Sequence, residues 1–215
     1  YMWGYSENGQ VGNGSTREMV EEPQEILTDV KAVDISDSMD GSISGAVTED
    51  GSLYLWGKAY GGEFTVDTAD ELKALKEATG SEGSVASQSR GDVMIYLGSS
   101  HPVKVMDSAV DFAANALTCA AIDEEGNLYT WGANDDSRLG RESTDVSGSG
   151  MPYSAEPKVI LEHVQEVSIS AYHEAAVTES GELYMWGSNE DGQIGSQAVY
   201  GEIVTSPQKV AEDVE

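Results

Sequence analysis

The sequence predicts an all-β repeat fold, a β-propeller of short four-stranded blades, and three observations carry that prediction. A Trp-Gly pair closes four short runs: Tyr1-Met2-Trp3-Gly4, Leu53-Tyr54-Leu55-Trp56-Gly57, Leu128-Tyr129-Thr130-Trp131-Gly132 and Leu183-Tyr184-Met185-Trp186-Gly187. The tryptophans stand 53, 75 and 55 residues apart, and a period of about 50 residues marks a propeller, a solenoid or an array. Segments such as Val164-Gln165-Glu166-Val167-Ser168-Ile169-Ser170 alternate apolar and polar side chains, as half-buried strands do. The turns Glu49-Asp50-Gly51, Glu124-Glu125-Gly126 and Glu179-Ser180-Gly181 each place Gly where a tight hairpin needs a positive φ.

Taken in order, the chain first supplies the third strand of a blade, Tyr1 to Trp3, and a fourth near Pro23 to Leu27. A complete blade follows: Ala32 to Ser36, Ser44 to Thr48, Ser52 to Trp56 and His101 to Val105. The next runs Ala109 to Ala113, Leu117 to Ile122, Asn127 to Trp131 and Pro157 to Leu161. The last runs Val164 to Ser170, His173 to Thr178, Leu183 to Trp186 and Ser206 to Val210. Proline at the start of a fourth strand fits an edge, where no ladder donor is needed. Four short antiparallel strands per unit make one blade, so we expect three full blades and a partial one. The interval after Trp56 is longer than the others. Thr68 to Ala78 has strong helix propensity, and Thr68 with Glu71 forms a capping box, so one inserted helix is expected near 67–80. Gly80 to Gly91 reads as a Ser/Gly-rich mobile loop. We read residues 1–215 as one partial propeller domain, with repeat units at about 1–30, 31–107, 108–162 and 163–215.

Charge narrows the partners. Thirty-nine acidic residues against eleven basic ones give a formal net charge of −28. So acidic a chain repels phosphate and anionic membrane, which argues against nucleic acid and membrane insertion. We read the acidity as a solvated surface in an extracellular or cell-surface setting, with the cytoplasm as the other location. Cys119 is the single cysteine, so no intrachain disulfide forms; within Ala116-Leu117-Thr118-Cys119-Ala120-Ala121-Ile122 it reads as a small buried hydrophobe.

The residues then carry a family resemblance. Trp186-Gly187-Ser188-Asn189-Glu190-Asp191-Gly192-Gln193-Ile194-Gly195 resembles the signature of the regulator of chromosome condensation repeat. His173 to Tyr184 resembles the rest of that repeat. Trp131 to Gly140 and Trp3 to Gly12 are further copies. The resemblance covers the whole chain apart from the insertion after Trp56. It implies a β-propeller, commonly seven-bladed, serving as a rigid platform for protein partners. The family includes nucleotide-exchange factors for small GTPases, regions of ubiquitin ligases and plant photoreceptors, so fold alone does not give function. The family's Gly-x-x-His stands here as Ser170-Ala171-Tyr172-His173, and the other two blades align Ile43 and Thr118 with the histidine. A histidine present in one blade only reads as packing.

No constellation with chemistry emerges. His101, His163 and His173 lack metal-ligand spacing, so we expect no metal. Asn134-Asp135-Asp136 and Asn189-Glu190-Asp191-Gly192 offer oxygens but not the spacing of a calcium loop. There is no nucleophile elbow and no phosphate-binding loop, so neither catalysis nor a cofactor is expected. Trp3, Trp56, Trp131 and Trp186, with Gly4, Gly57, Gly132 and Gly187, read as structural repeat residues filling the space between sheets. Tyr5, Tyr60, Tyr153 and Tyr200 fall in the long loops after the Trp-Gly pairs and are the candidate partner contacts.

The reading is a non-catalytic protein-interaction module of a larger bacterial exported or cell-surface protein. An exchange factor for a small GTPase is the alternative, with 60–91 as the only candidate protruding loop. A carbohydrate-binding propeller is a third reading. Three blades and a part form an open arc, whose bare end faces imply self-association.

Overall fold

The computed structural model describes residues 1–17, 19–38, 41–58, 64–66, 87–90, 93–96, 98–115, 117–143, 145–146, 152–195 and 200–214. The strands, in chain order, are β1 Met2–Tyr5, β2 Met19–Gln24, β3 Val30–Ser38, β4 Gly41–Thr48, β5 Leu53–Lys58, β6 Phe64–Val66, β7 Ser87–Arg90, β8 Val93–Tyr96, β9 Gly98–Met106, β10 Ala109–Ala114, β11 Thr118–Asp123, β12 Leu128–Ala133, β13 Asp145–Val146, β14 Pro152–Leu161, β15 Val164–Ile169, β16 His173–Thr178, β17 Leu183–Ser188 and β18 Ile203–Ala211. Among the described residues the strands pair antiparallel. They make three blades in the order β3-β4-β5-β9, β10-β11-β12-β14 and β15-β16-β17-β18, with β1-β2 as a two-stranded piece. The fold is the all-β propeller architecture expected, with strand ends moved by a few residues.

Two differences stand out. The middle blade gains a fifth strand, because β13 pairs with Pro152 and Tyr153 at the start of β14. The insertion carries a small sheet, β6-β8-β7, so 87–90, read as loop, is strand. Its polar sequence, Ser-Gln-Ser-Arg, has no alternation to announce a strand. The expected helix at Thr68 to Ala78 lies outside the described residues, as does Tyr60.

The chain divides into two compact units, one of Tyr1–Ala109 with Ala114–Leu117, the other of Val110–Ala113 with Thr118–Glu215. In the first, Ile43, Ala46, Val47, Leu53, Leu55 and Trp56 are buried. In the second, one core cluster joins Ile122, Leu128, Val164, Val167, Trp186 and Ile194. The second strands are built mostly of small residues. Ser44-Gly45-Ala46, Cys119-Ala120-Ala121 and Glu174-Ala175-Ala176 are runs of small residues broken by one large side chain, and all six residues of β11 are buried. Cys119 is among them, as expected.

The Trp-Gly pair has a backbone cause. Registers slip at each pair: between Met2 and Gly4, Leu55 and Gly57, Thr130 and Gly132, and Met185 and Gly187. The glycines have φ of +111, +102, +111 and +101°, which L side chains rarely adopt. A Cβ on Gly57 would lie 2.1 Å from the Ser42 carbonyl oxygen, and one on Gly187 2.5 Å from that of Tyr172. The bulge turns the chain out of the blade into its long loop. A second repeated bond runs from the start of one repeat to the hairpin of the one before. Ala109 N donates to Gly51 O (2.8 Å), Val164 N to Gly126 O (2.9 Å) and Val214 N to Gly181 O (3.0 Å). The residues just before, Ser108, His163 and Asp213, all have positive φ, so His163 serves as a turn residue. All five prolines lie in fourth strands, at Pro23, Pro102, Pro152, Pro157 and Pro207.

Candidate interaction surface

Three of the loops after the Trp-Gly pairs are built alike. In Ser6–Gly12, Asn134–Gly140 and Asn189–Gly195 two successive turns follow one another: Gly9 N to Ser6 O then Gly12 N to Gly9 O, Ser137 N to Asn134 O then Gly140 N to Ser137 O, Gly192 N to Asn189 O then Gly195 N to Gly192 O. The first side chain of each loop ties its far end. Asn134 Oδ1 accepts from Leu139 N (2.9 Å), Asn189 Oδ1 from Ile194 N (3.0 Å) and Ser6 Oγ from Val11 N (3.4 Å). Val11, Leu139 and Ile194 are thereby pressed inward and buried. This is the geometry of turn-forming side chains: the oxygens of Asn134 and Asn189 are spent on backbone N–H groups. Among the described residues no cluster of three or more His, Cys, Asp or Glu could hold a metal ion.

Two of these loops meet the next blade. In the first unit the Trp56 indole Nε1 donates to Gln10 O at 2.9 Å, and Ser44 Oγ donates to the same oxygen at 2.8 Å. In the second unit the Trp186 Nε1 donates to Arg138 O at 2.9 Å. Glycine permits the approach: a Cβ on Gly12 would lie 2.7 Å from the Trp56 Nε1, and one on Gly140 3.0 Å from that of Trp186. The tryptophans are thus packing residues with a fixed polar end. Trp131 is buried as well, but Trp3 is 61% exposed, contrary to the expected burial. Among the described residues no preceding loop stands against it in the way that Gln10 and Arg138 stand against Trp56 and Trp186.

The seam in the second unit also holds charge. Arg138 is fully buried. Its Nε donates to Asp135 O (2.9 Å), Nη1 to Ala171 O (2.6 Å) and Nη2 to Asp135 Oδ2 (2.8 Å), while Asp136 Oδ2 lies 3.6 Å away. The guanidinium also sits 5.7 Å from the Tyr172 ring centroid. Beside it Glu174 is 1% exposed, and neither carboxyl oxygen has a hydrogen-bond partner. Burial pushes the Glu174 carboxyl well above its ordinary range, Arg138 opposing and Asp135 adding to the rise. Sequence reasoning missed this pair. The available signal was a carboxylate standing where the other repeats carry Ser44 and Cys119.

His173 is structural in its contacts, as its single occurrence suggests. Its Nδ1 lies 2.9 Å from Ser170 Oγ, and that hydroxyl also accepts from His173 N (3.1 Å) and donates to His173 O (2.7 Å). Burial lowers its pKa. Ile43, Thr118 and His173 each face the glycine of the Trp-Gly pair across the ladder, which confirms their equivalence.

The candidate contact residues separate. Tyr153 lies in β14, not in a loop, and is 4% exposed; its pairing with Ala133 and Asp145 places it inside the middle blade. Tyr5 ends β1 half-exposed, its hydroxyl donating to Glu7. Tyr200 is 72% exposed in a turn. Tyr172, not singled out by sequence, is exposed too. In the first unit, a groove of about 360 Å³ is lined by Tyr1, Met2, Ile26, Leu27, Val30, Val33, Ile35 and Trp56. Trp3, Val33 and Ile35 stand open to solvent at or near it.

Comparison with known proteins fits these features. The family model of the regulator of chromosome condensation repeat matches residues 125–177 and 180–215, and a second model of the same repeat matches 164–193. The chain carries regulator of chromosome condensation repeats. It is 30% identical over 229 residues to the human E3 ubiquitin-protein ligase HERC2, covering 91% of this chain and 5% of that protein. It is 30% identical over 206 residues to the mitochondrial RCC1 domain-containing protein RUG3 of Arabidopsis thaliana, covering 93% of this chain and 40% of that one. Among solved structures, Prp20p of Saccharomyces cerevisiae, described with its binding to Gsp1p and histones, superposes with a TM-score of 0.67 at 18% identity. That match covers 98% of this chain and 46% of Prp20p. The chain spans less than half the length of the relatives it matches. At such identity the structural likeness shows the fold alone.

Proposed function

We propose that this chain is a non-catalytic protein-interaction module within a larger protein, and that its contact surface includes the apolar groove of the first unit. The groove is the observation that carries the reading. Val33 and Ile35, two residues apart on one face of β3, are exposed, and exposed apolar patches of this kind mark contact sites. The net charge of −28 favours a partner with a basic surface around an apolar anchor. Tyr5 and Tyr200 are further contact candidates in their own units. A photo-reactive side chain at Ile35 of the full-length protein is expected to capture a protein, and the Val33→Asp, Ile35→Asp double variant to lose that complex. Retention of every partner complex by the double variant would contradict the assignment.

Self-association through this same strip is the second reading, and the exposed Trp3 favours it. Light scattering on the double variant separates the two: a fall in mass means that the occupant is another copy. The exchange-factor reading is supported by likeness to Prp20p, for which binding to Gsp1p is described. Nucleotide release from a small GTPase tests it. The extracellular or cell-surface setting in a bacterium is supported by composition alone, and fractionation of the cells that make the protein decides it.

A further inference from the structure

Glu174 occupies a position whose chemistry is visible elsewhere in the chain. It faces Trp186 directly across the β16–β17 ladder, as Ser44 faces Trp56 and Cys119 faces Trp131. In the first unit both members of the pair donate to one oxygen, Gln10 O, from the loop that packs on them. In the second unit Trp186 donates to the equivalent oxygen, Arg138 O. Serine, cysteine and a protonated glutamic acid can each donate; an ionised glutamate only accepts. An ionised Glu174 would be a buried charge with both of its own oxygens unpartnered. We propose that Glu174 is an un-ionised carboxylic acid at neutral pH that donates its proton to the Arg138 carbonyl oxygen, and that its ionisation at alkaline pH unlocks this seam.

The alternative is an ion pair with Arg138, and the geometry argues against it. Arg138 Nε, Nη1 and Nη2 all donate elsewhere, none to Glu174. Asp135 at 2.8 Å and Asp136 at 3.6 Å already balance the guanidinium. The charged groups acting on Glu174 are Arg138, which favours ionisation, and Asp135, which opposes it; both come from the loop after β12. On its own strand His173 is held by Ser170. The folded carboxyl is raised above its unfolded value, near 4.5. Its stabilising contribution is therefore complete below that pH and is lost as pH rises towards the folded value.

The test compares the full-length protein with Glu174→Gln, whose amide donates without titrating. Near pH 4 the two should melt together. At pH 8 E174Q should melt higher, by about 2–4 °C or more. In the infrared at neutral pH, the native protein should show one carboxylic-acid carbonyl band that E174Q lacks. Glu174→Ser, which copies Ser44, should share the flattened pH profile even if it melts lower throughout. An E174Q that is less stable than the native protein at pH 8, or a native spectrum without the acid band, would overturn the proposal. Either result would make Glu174 an ionised partner of Arg138.

Discussion

Trp186 and Trp3 occupy the same place in their repeats and should respond differently to substitution. Trp186 is fully buried and its indole holds Arg138 O; Trp3 is largely in solvent. Trp186→Ala is expected to lose about 3–5 kcal/mol in denaturant unfolding, as for a large core aromatic. Trp3→Ala should stay within about 0.5 kcal/mol, the range of surface substitutions. Equal losses at both would contradict the seam assigned here. Gly187→Ala is a separate test of the backbone. It forces a Cβ to within 2.5 Å of Tyr172 O at a φ of +101°, and should cost about 1–3 kcal/mol or more. A neutral Gly187→Ala would show that the bulge relaxes freely. The recurrence of Trp and Gly was legible because the same side-chain types return at one spacing. The tyrosines were not equally legible. Tyr5, Tyr153 and Tyr200 look alike in sequence, and what buries Tyr153 is the extension of β14 back to Pro152, with β13 laid against it.

At the scale of the element, the hairpins show how different side chains do one job. In β4–β5 and β16–β17 a threonine hydroxyl closes the turn: Thr48 Oγ1 donates to Ser52 O, and Thr178 Oγ1 accepts from Glu182 N. In β11–β12 Asp123 takes that place. Its Oδ1 accepts from Glu125 N and Asn127 N, each at 2.9 Å, and its Oδ2 from Asn127 Nδ2 and Tyr129 Oη, each at 3.0 Å. Burial alone would raise its pKa; the hydrogen bonds from Asn127, Tyr129 and Glu125 outweigh burial and hold the carboxyl below its ordinary value. The sign follows. The stabilisation is present above the unfolded value near 3.8 and is lost as pH falls through the lower folded one. Asp123→Ala should cost about 1–3 kcal/mol at neutral pH, with the difference from the native protein shrinking in acid. A constant difference down to pH 2 would contradict it. Strand order and hairpin turns could be read from alternation and from Gly after acidic residues. Strand ends could not, because β9, β14 and β18 begin several residues before Pro102, Pro157 and Pro207, beside the bulge. The strand at 87–90 lies within the Ser/Gly-rich run 80–91 and has no apolar period to mark it.

For the whole molecule, charge and repeat act in opposite directions. A net charge of −28 pushes the compact state apart, and salt screens that repulsion. Raising ionic strength from about 0.01 to 0.15 M, which shortens the screening length from about 30 to about 8 Å, should raise the melting temperature. A fall would mean that surface ion pairs such as Lys209 with Glu182 and Glu212 outweigh the excess of acids. What resists the repulsion is the set of bonds that repeats with the sequence: bulged Trp-Gly, inward plug, and indole to loop carbonyl. The family-level fold followed from that repetition. The buried Arg138 and Glu174 did not, since nothing in one sequence shows which carboxylates of so many lie inside. The most direct test of the repeat-locked platform is hydrogen exchange at the four indole Nε1–H groups, followed by NMR at neutral pH. Trp56, Trp131 and Trp186 should exchange slowly, and Trp3 within the time of an open side chain. Four similar rates, or a protected Trp3 beside an unprotected Trp186, would contradict it.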